Sequence, residues 1–191
     1  MAKKLESTLP NMILSLVLIS MVMSAALAFV YLKTKGPIEE AARQKELEAI
    51  RMVVPEFDND PSTAKAEKDG VVIYRLSKQD VPVGYAVKSY TEKGFAGHVE
   101  MMAGFLPDGS IYNISVLQHK ETPGLGTKMT DPKFSGQFLG KHPESFKLFV
   151  KKDGGAVDAI TAATVSSRAY CDALLRAFTS MKQINDSLSV K

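Results

Sequence analysis

A chain of 191 residues, 45% apolar and 24% charged, has room for one globular domain with extra segments, and its balance is that of an ordinary folded protein. Its net charge of +3 is too small, and its lysines too dispersed, for a nucleic-acid-binding surface. The single cysteine, Cys171, excludes an intrachain disulfide and falls among apolar helix positions, where a buried structural thiol is expected.

No residue from Ser7 to Leu32 is charged. As a helix, the stretch 11–32 would extend about 33 Å, enough for a bilayer core. Lys3 and Lys4 before it and Ala26-Leu27-Ala28 within it would suit a cleaved leader. The apolar run continues through Phe29, Val30, Tyr31 and Leu32, however, and an uncleaved anchor is the better reading. Charge gives little orientation, because Lys33, Lys35 and Arg43 nearly balance Lys3 and Lys4.

Gly36-Pro37 followed by Glu39 and Glu40 reads as a helix start, and Pro55 as its stop. Ile38, Ala41, Ala42, Leu47, Ile50, Val53 and Val54 recur at helical spacing, predicting a stalk helix over about 37–53 that continues from the anchor. Residues 58–70 read as a polar loop. Strands are expected at 71–77, 81–91, 97–107 and 111–120, with Pro107-Asp108-Gly109-Ser110 turning the last two into a hairpin. A short helix and loop are expected at 131–141. A second hairpin is expected between "SFKLFV" (145–150) and "AVDAI" (156–160), and a final helix over about 164–186. The fold class is α+β: an antiparallel sheet with packed helices behind a single N-terminal transmembrane helix. The divisions are 1–10, an N-terminal cytoplasmic segment; 11–32, the membrane helix; 33–70, stalk and loop; and 71–191, the globular domain.

Two stretches carry chemistry. "VDAITAATVSSRAYC" opens the final helix with hydroxyls and small residues, and no acid lies between Asp158 and Asp172. A helix N-terminus offers unpaired N–H groups and about half a positive charge, so it suits an external anion such as a phosphate. Simple capping by Thr161, Ser166 or Ser167 is the plainer alternative. "HKETPGLGTKM" (119–129) is a tight glycine loop whose backbone can approach a ligand, with Lys128 available for charge; an ordinary turn is its alternative. His98, His119 and His142 are widely spaced and lack a metal-ligand pattern.

Taken in order, "LQHKETPGLGTKM", "FSGQFLGK" and "VDAITAATVSS" resemble the FMN-binding domain found in the G subunit of Rnf-type electron-transport complexes. The C subunit of the sodium-pumping NADH:quinone reductase shares that domain and is the alternative. A membrane-anchored flavin-binding module without an electron-transfer role is a third reading. The resemblance spans roughly residues 75–185 and makes 71–191 the FMN-binding domain. It implies FMN joined covalently through its phosphate to a threonine hydroxyl, here Thr164, within the motif Asp158, Thr161, Ala162, Ala163, Thr164. Ser166 and the loop residues Glu121, Thr122, Gly124, Leu125, Gly126 and Lys128 would line the flavin site. Position 162 is often glycine in the family, so alanine would be strained there if φ is positive.

The resemblance further implies that attachment is carried out by a separate magnesium-dependent FAD:protein FMN transferase. The chain would then be a redox subunit of a ferredoxin:NAD oxidoreductase that moves ions, partnered by the other subunits and without independent turnover. It would sit in the bacterial inner (cytoplasmic) membrane as a single-pass protein with its soluble domain on the periplasmic side.

Overall fold

The computed structural model describes residues 8–189. Helix α1 runs Leu9–Val53, and the chain divides between Gln44 and Lys45 into two compact units. In the first unit α1 is long and apolar enough to cross a membrane, and its apolar side chains are exposed from Leu9 to Leu32. The helix expected over about 37–53 does continue from the anchor: α1 is unbroken through it, and Pro37 lies inside α1 rather than opening a new helix. A proline withdraws one N–H from the helical ladder. At this exposed position the rung it removes can be replaced by solvent, so the start signals are overridden.

The second unit is built on a five-stranded antiparallel meander, β1-β2-β3-β4-β5, with strands Lys65–Lys68, Val71–Lys78, Val81–Gly94, Gly97–Phe105 and Ile111–His119. Strands β2 to β5 and the β4–β5 hairpin follow the sequence expectation. Strand β1 does not, because it lies in the expected polar loop. Its sequence, Lys-Ala-Glu-Lys, carries no apolar alternation, and it is held by main-chain pairing to β2 as a charged edge.

Alternation along the strands gives the sheet two apolar faces. Val71, Ile73, Val87, Val99, Met101, Ala103 and Phe105 point into one core, covered by helix α3 (Thr164–Ser189) through Tyr170, Ala173, Leu174, Ala177 and Met181. Tyr74, Leu76, Ala86 and Met102 point into the other, covered by Ala49, Ile50, Val53 and Val54 at the end of α1. Gly104 makes the second contact possible: a Cβ there would lie 1.5 Å from the Val53 carbonyl oxygen. The Asn113 side-chain amide donates to the Met52 carbonyl at 2.9 Å, satisfying one of the orphan acceptors at the helix end. Tyr74 donates to Glu46, which also pairs with Lys88 at 3.3 Å.

Residues 120–163 wrap the edge beyond β5. The short helix α2 (Pro132–Ser135) and a 3₁₀ turn at Gly136–Phe138 drive Phe134 and Phe138 against Tyr170, with ring centroids 5.2 and 5.1 Å apart. The hairpin expected between 145–150 and 156–160 does not form. Val150 and Val157 share one parallel bridge, and a 3₁₀ turn at Lys151–Asp153 with Gly154 at φ +80° bends the chain between them. Leu148, Val150, Val157 and Ile160 enter the core singly, so their burial is met without strand pairing. Cys171 is buried, and desolvation pushes its thiol up to about 12.

The contact at Gly104 sets a measurable demand. Gly104→Ala is expected to destabilise the fold by about 3 kcal/mol through overpacking. Gly136→Ala, where nothing lies within 4 Å of the added methyl, is the control and should stay within about 0.5 kcal/mol. Urea unfolding in detergent, read as paired midpoints, checks both.

Candidate functional site

The hydroxyl-rich approach to α3 divides its labour. The Ser167 hydroxyl accepts the Ile160 N–H at 2.9 Å and donates to the Ala163 carbonyl at 3.0 Å, stapling the loop to the first helical turn. Ala163 N–H bonds the Ile160 carbonyl at 3.0 Å, closing a turn whose third residue, Ala162, has φ +61°. Glycine is the residue favoured at such a place, so this alanine is held in a strained conformation. Ser166, also buried, donates to Glu121 Oε2 at 2.7 Å. Thr164 is the first residue of α3, and among the described residues its hydroxyl has no hydrogen-bond partner. No acid lies in the first turn. The first intrahelical bond from this end is Ser167 N–H to the Ala163 carbonyl, so the amides of Thr164, Val165 and Ser166 face outward from the ladder.

The second stretch forms the opposite wall. Leu125 N–H bonds the Thr122 carbonyl at 3.2 Å, and Gly124, at φ +76°, donates its N–H to Thr127 Oγ1 at 3.0 Å. The chain then enters a 3₁₀ turn at Gly126–Thr130. Gly126 must lack a side chain: a Cβ would stand 2.4 Å from Glu121 Oε2 and 2.6 Å from Ser166 Oγ.

Between these walls lies a cavity of about 330 Å³, lined by Glu121, Thr122, Leu125, Gly126, Ala162, Ala163, Thr164, Val165, Ser166 and Phe95. The volume falls within the range of small-molecule sites, about 300–1,000 Å³. Thus Thr164, Ala162, Ala163, Ser166, Glu121, Thr122, Leu125 and Gly126 come together. Thr161, Asp158 and Lys128 do not line it. They border a neighbouring cavity of about 520 Å³ with Asp131, Phe134 and Gln137, and Gly124 borders neither. The Asp158 carboxylate pairs with Lys151 at 2.7 Å, while Gln137 takes its N–H at 2.8 Å. Arg168, the cation nearest the helix start in sequence, is tied to Asp153 by two bonds of 2.7 Å, and that pairing holds the Asp153 carboxyl below its ordinary range.

Two lining residues were not anticipated from the sequence. Phe95 sits in the two-residue turn between β3 and β4, flanked by the paired Gly94 and Gly97, and is 71% exposed. Val165 is 42% exposed. An exposed aromatic in a Gly-Phe-Ala-Gly turn was the available signal for the first. Together with Leu125 these side chains give the cavity an apolar rim above a floor of amides and hydroxyls.

That division suits a flat aromatic ligand with a phosphate tail. The outward amides and helix dipole meet the phosphate, Gly126 leaves the cradle open, and the rim offers apolar surface to the ring.

Residues 94–179 match the model of the FMN-binding domain family. The G subunit of the ion-translocating oxidoreductase complex of Methanosarcina acetivorans is 36% identical over 171 residues, covering 86% of this chain and 89% of that protein. The protein of the same name from Aliivibrio fischeri strain MJ11 is 30% identical over 187 residues, covering 90% of this chain and 89% of its own. Among solved structures, NqrC of Shewanella oneidensis aligns with a TM-score of 0.43 and 23% identity, over 67% of this chain and 62% of that one.

The positive φ of Ala162 yields its own test. Glycine there relieves left-handed strain of about 1 kcal/mol but frees the unfolded chain by roughly half as much. Ala162→Gly is therefore expected to stabilise by about 0.5 kcal/mol, seen as a higher urea midpoint with unchanged slope.

Proposed function

The chain belongs to the family of G subunits of ion-translocating oxidoreductase complexes, and from that premise we propose that it is a membrane-anchored electron carrier with FMN bound covalently through Thr164. The observation that carries this reading is the placement of Thr164. Its hydroxyl is unpartnered among the described residues, and it opens α3 in the same cavity as the glycine loop.

FMN, when bound, supplies one- and two-electron redox chemistry that no side chain of this protein offers. The protein's part is attachment, orientation and exclusion of water. Thr164 Oγ1 is the acceptor. With FAD as donor, its oxygen would bond to the phosphorus of the FMN moiety as the phosphoanhydride breaks, AMP would leave, and the hydroxyl proton would pass to a base of the magnesium-dependent transferase. The amides of Thr164, Val165 and Ser166 would hold the phosphate of the attached group at the positive end of α3. The Ser167 staple fixes the direction in which Thr164 points. Leu125, Val165 and Phe95 keep water from the face they cover. The left-handed Ala162 and the small Ala163 leave the hydroxyl open to an incoming enzyme.

The apolar part of α1 fits a single membrane crossing that keeps the flavin beside its partner subunits. In this reading residues 1–10 lie in the cytoplasm, 11–32 cross the membrane, 33–44 carry α1 on as a stalk, and the FMN-binding domain lies outside the membrane, taking in 45–70 as well as 71–191 because the end of α1 and β1 belong to its sheet and core. The complex would pass electrons between ferredoxin and NAD while moving an ion. A covalent bond suits such a location, because a carrier outside the cytoplasm cannot readily recapture a lost cofactor.

Co-expression with an active FAD:protein FMN transferase tests the attachment. Intact mass is expected to show an adduct of FMN less one water, with flavin fluorescence that survives denaturing electrophoresis. Thr164→Val should lose both, whereas Thr161→Val should keep them. Absence of the adduct, with the transferase proven active on another acceptor, would overturn the covalent reading.

A further inference from the structure

We propose that Glu121 is a positioning residue that assembles the flavin cavity, holding three separate segments together through its two carboxylate oxygens. The proposal rests on reading this cavity as the flavin site, but its first test does not. Glu121 is 5% exposed, a rare state for a carboxylate. Its Oε2 accepts the Ser166 hydroxyl at 2.7 Å, from the first turn of α3. Its Oε1 accepts the Ala96 N–H at 3.4 Å, a long arm that reaches the β3–β4 turn carrying Phe95. Its own backbone begins the glycine loop, and its N–H is directed to His119 Nδ1 at 3.3 Å.

The surroundings are shaped to this carboxylate. A Cβ on Gly94 would lie 2.7 Å from Oε1, and one on Gly126 would lie 2.4 Å from Oε2. Gly126 thus makes room for the carboxylate from the loop, while at Gly94 the Gly97 carbonyl oxygen, 2.2 Å from such a Cβ, is a closer obstacle still and Oε1 comes second. The partners named are a hydroxyl and an amide, both neutral, so the group is held by hydrogen bonds rather than by an ion pair.

Two consequences follow for the site. The Ser166 hydroxyl is already spent on Glu121, which leaves the phosphate to the helix amides. The rim residues Phe95 and Leu125, which belong to different segments, owe their spacing to one side chain.

Hydrogen exchange on the full-length protein in detergent, before any flavin is attached, is the first test. Glu121→Ala is expected to speed exchange about ten-fold in residues 94–97 and 122–127, with less than about two-fold change in β2. Glu121→Gln keeps an acceptor oxygen for the Ala96 N–H, and its Nε2 donates to Ser166 Oγ once that hydroxyl turns from donor to acceptor, so it should restore protection. Should Glu121→Ala fail to fold, Ser166→Ala removes one arm and is expected to speed exchange in 122–127. Unchanged exchange in these segments, or glutamine behaving like alanine, overturns the proposal. In protein loaded with flavin, Glu121→Ala should lower the fluorescence anisotropy of the attached flavin while glutamine preserves it. Equal anisotropy in all three also overturns it. A wild-type chain that never takes up flavin sinks the functional reading instead, and the exchange result still decides whether Glu121 is the bracket.

Discussion

Both faces of the five-stranded sheet are apolar, and each must be shielded from water. That requirement organises the rest of the second unit. On one face α3 lays down a stripe of small and apolar residues; on the other, the last turns of α1 come close enough that β4 tolerates only glycine at position 104. Burial of this kind is the main favourable term in folding, at about 25 cal/mol per Å². With α3 fixed over the sheet, its N-terminus has one place to be, beside the loop that leaves β5. The site is therefore a by-product of how the core is covered, and its polar groups need only local adjustment.

Those adjustments fall to the hydroxyls at the start of α3, and each has a different duty. Ser167 holds the turn, Ser166 reaches Glu121, and Thr164 is left open. An acid in the first turn would satisfy the helix internally and close the site to an anion. Here the nearby carboxylate comes from another segment and meets a hydroxyl, so the amides stay available. The two cavities flanking the loop separate residues that are close in the chain: Thr164 faces one, while Asp158 and Thr161 face the other.

The sequence made strands β2 to β5, the β4–β5 hairpin, the final helix and the two site-bearing stretches legible, because each carries a local pattern: alternation, a Pro-Asp-Gly-Ser turn, helical spacing, or glycines beside hydroxyls. What it hid depended on distant partners. Strand β1 consists of Lys, Ala and Glu and exists because β2 offers it a free edge. The apolar run at 145–150 has strand composition but spends its side chains individually on the core. In the site, the aromatic between glycines at Phe95 was a signal without an address, because its turn is far along the chain from the loop it faces, and the pairing of Gly94 with Gly97 sets that turn. The roles of Ser166 and Ser167 could not be told apart by composition, since they differ only in what stands opposite.

The cavity walls come from three stretches of chain: the β3–β4 turn, the loop after β5 and the start of α3. A meander pairs each strand with its predecessor, so the sheet can form progressively as the chain leaves the ribosome. The third wall cannot. It takes shape only when α3, which follows the whole sheet in the chain, docks across strands already in place. The site is thereby a readout of completed folding: a nascent or misassembled chain lacks the walls, and only a finished one presents the threonine in its proper setting.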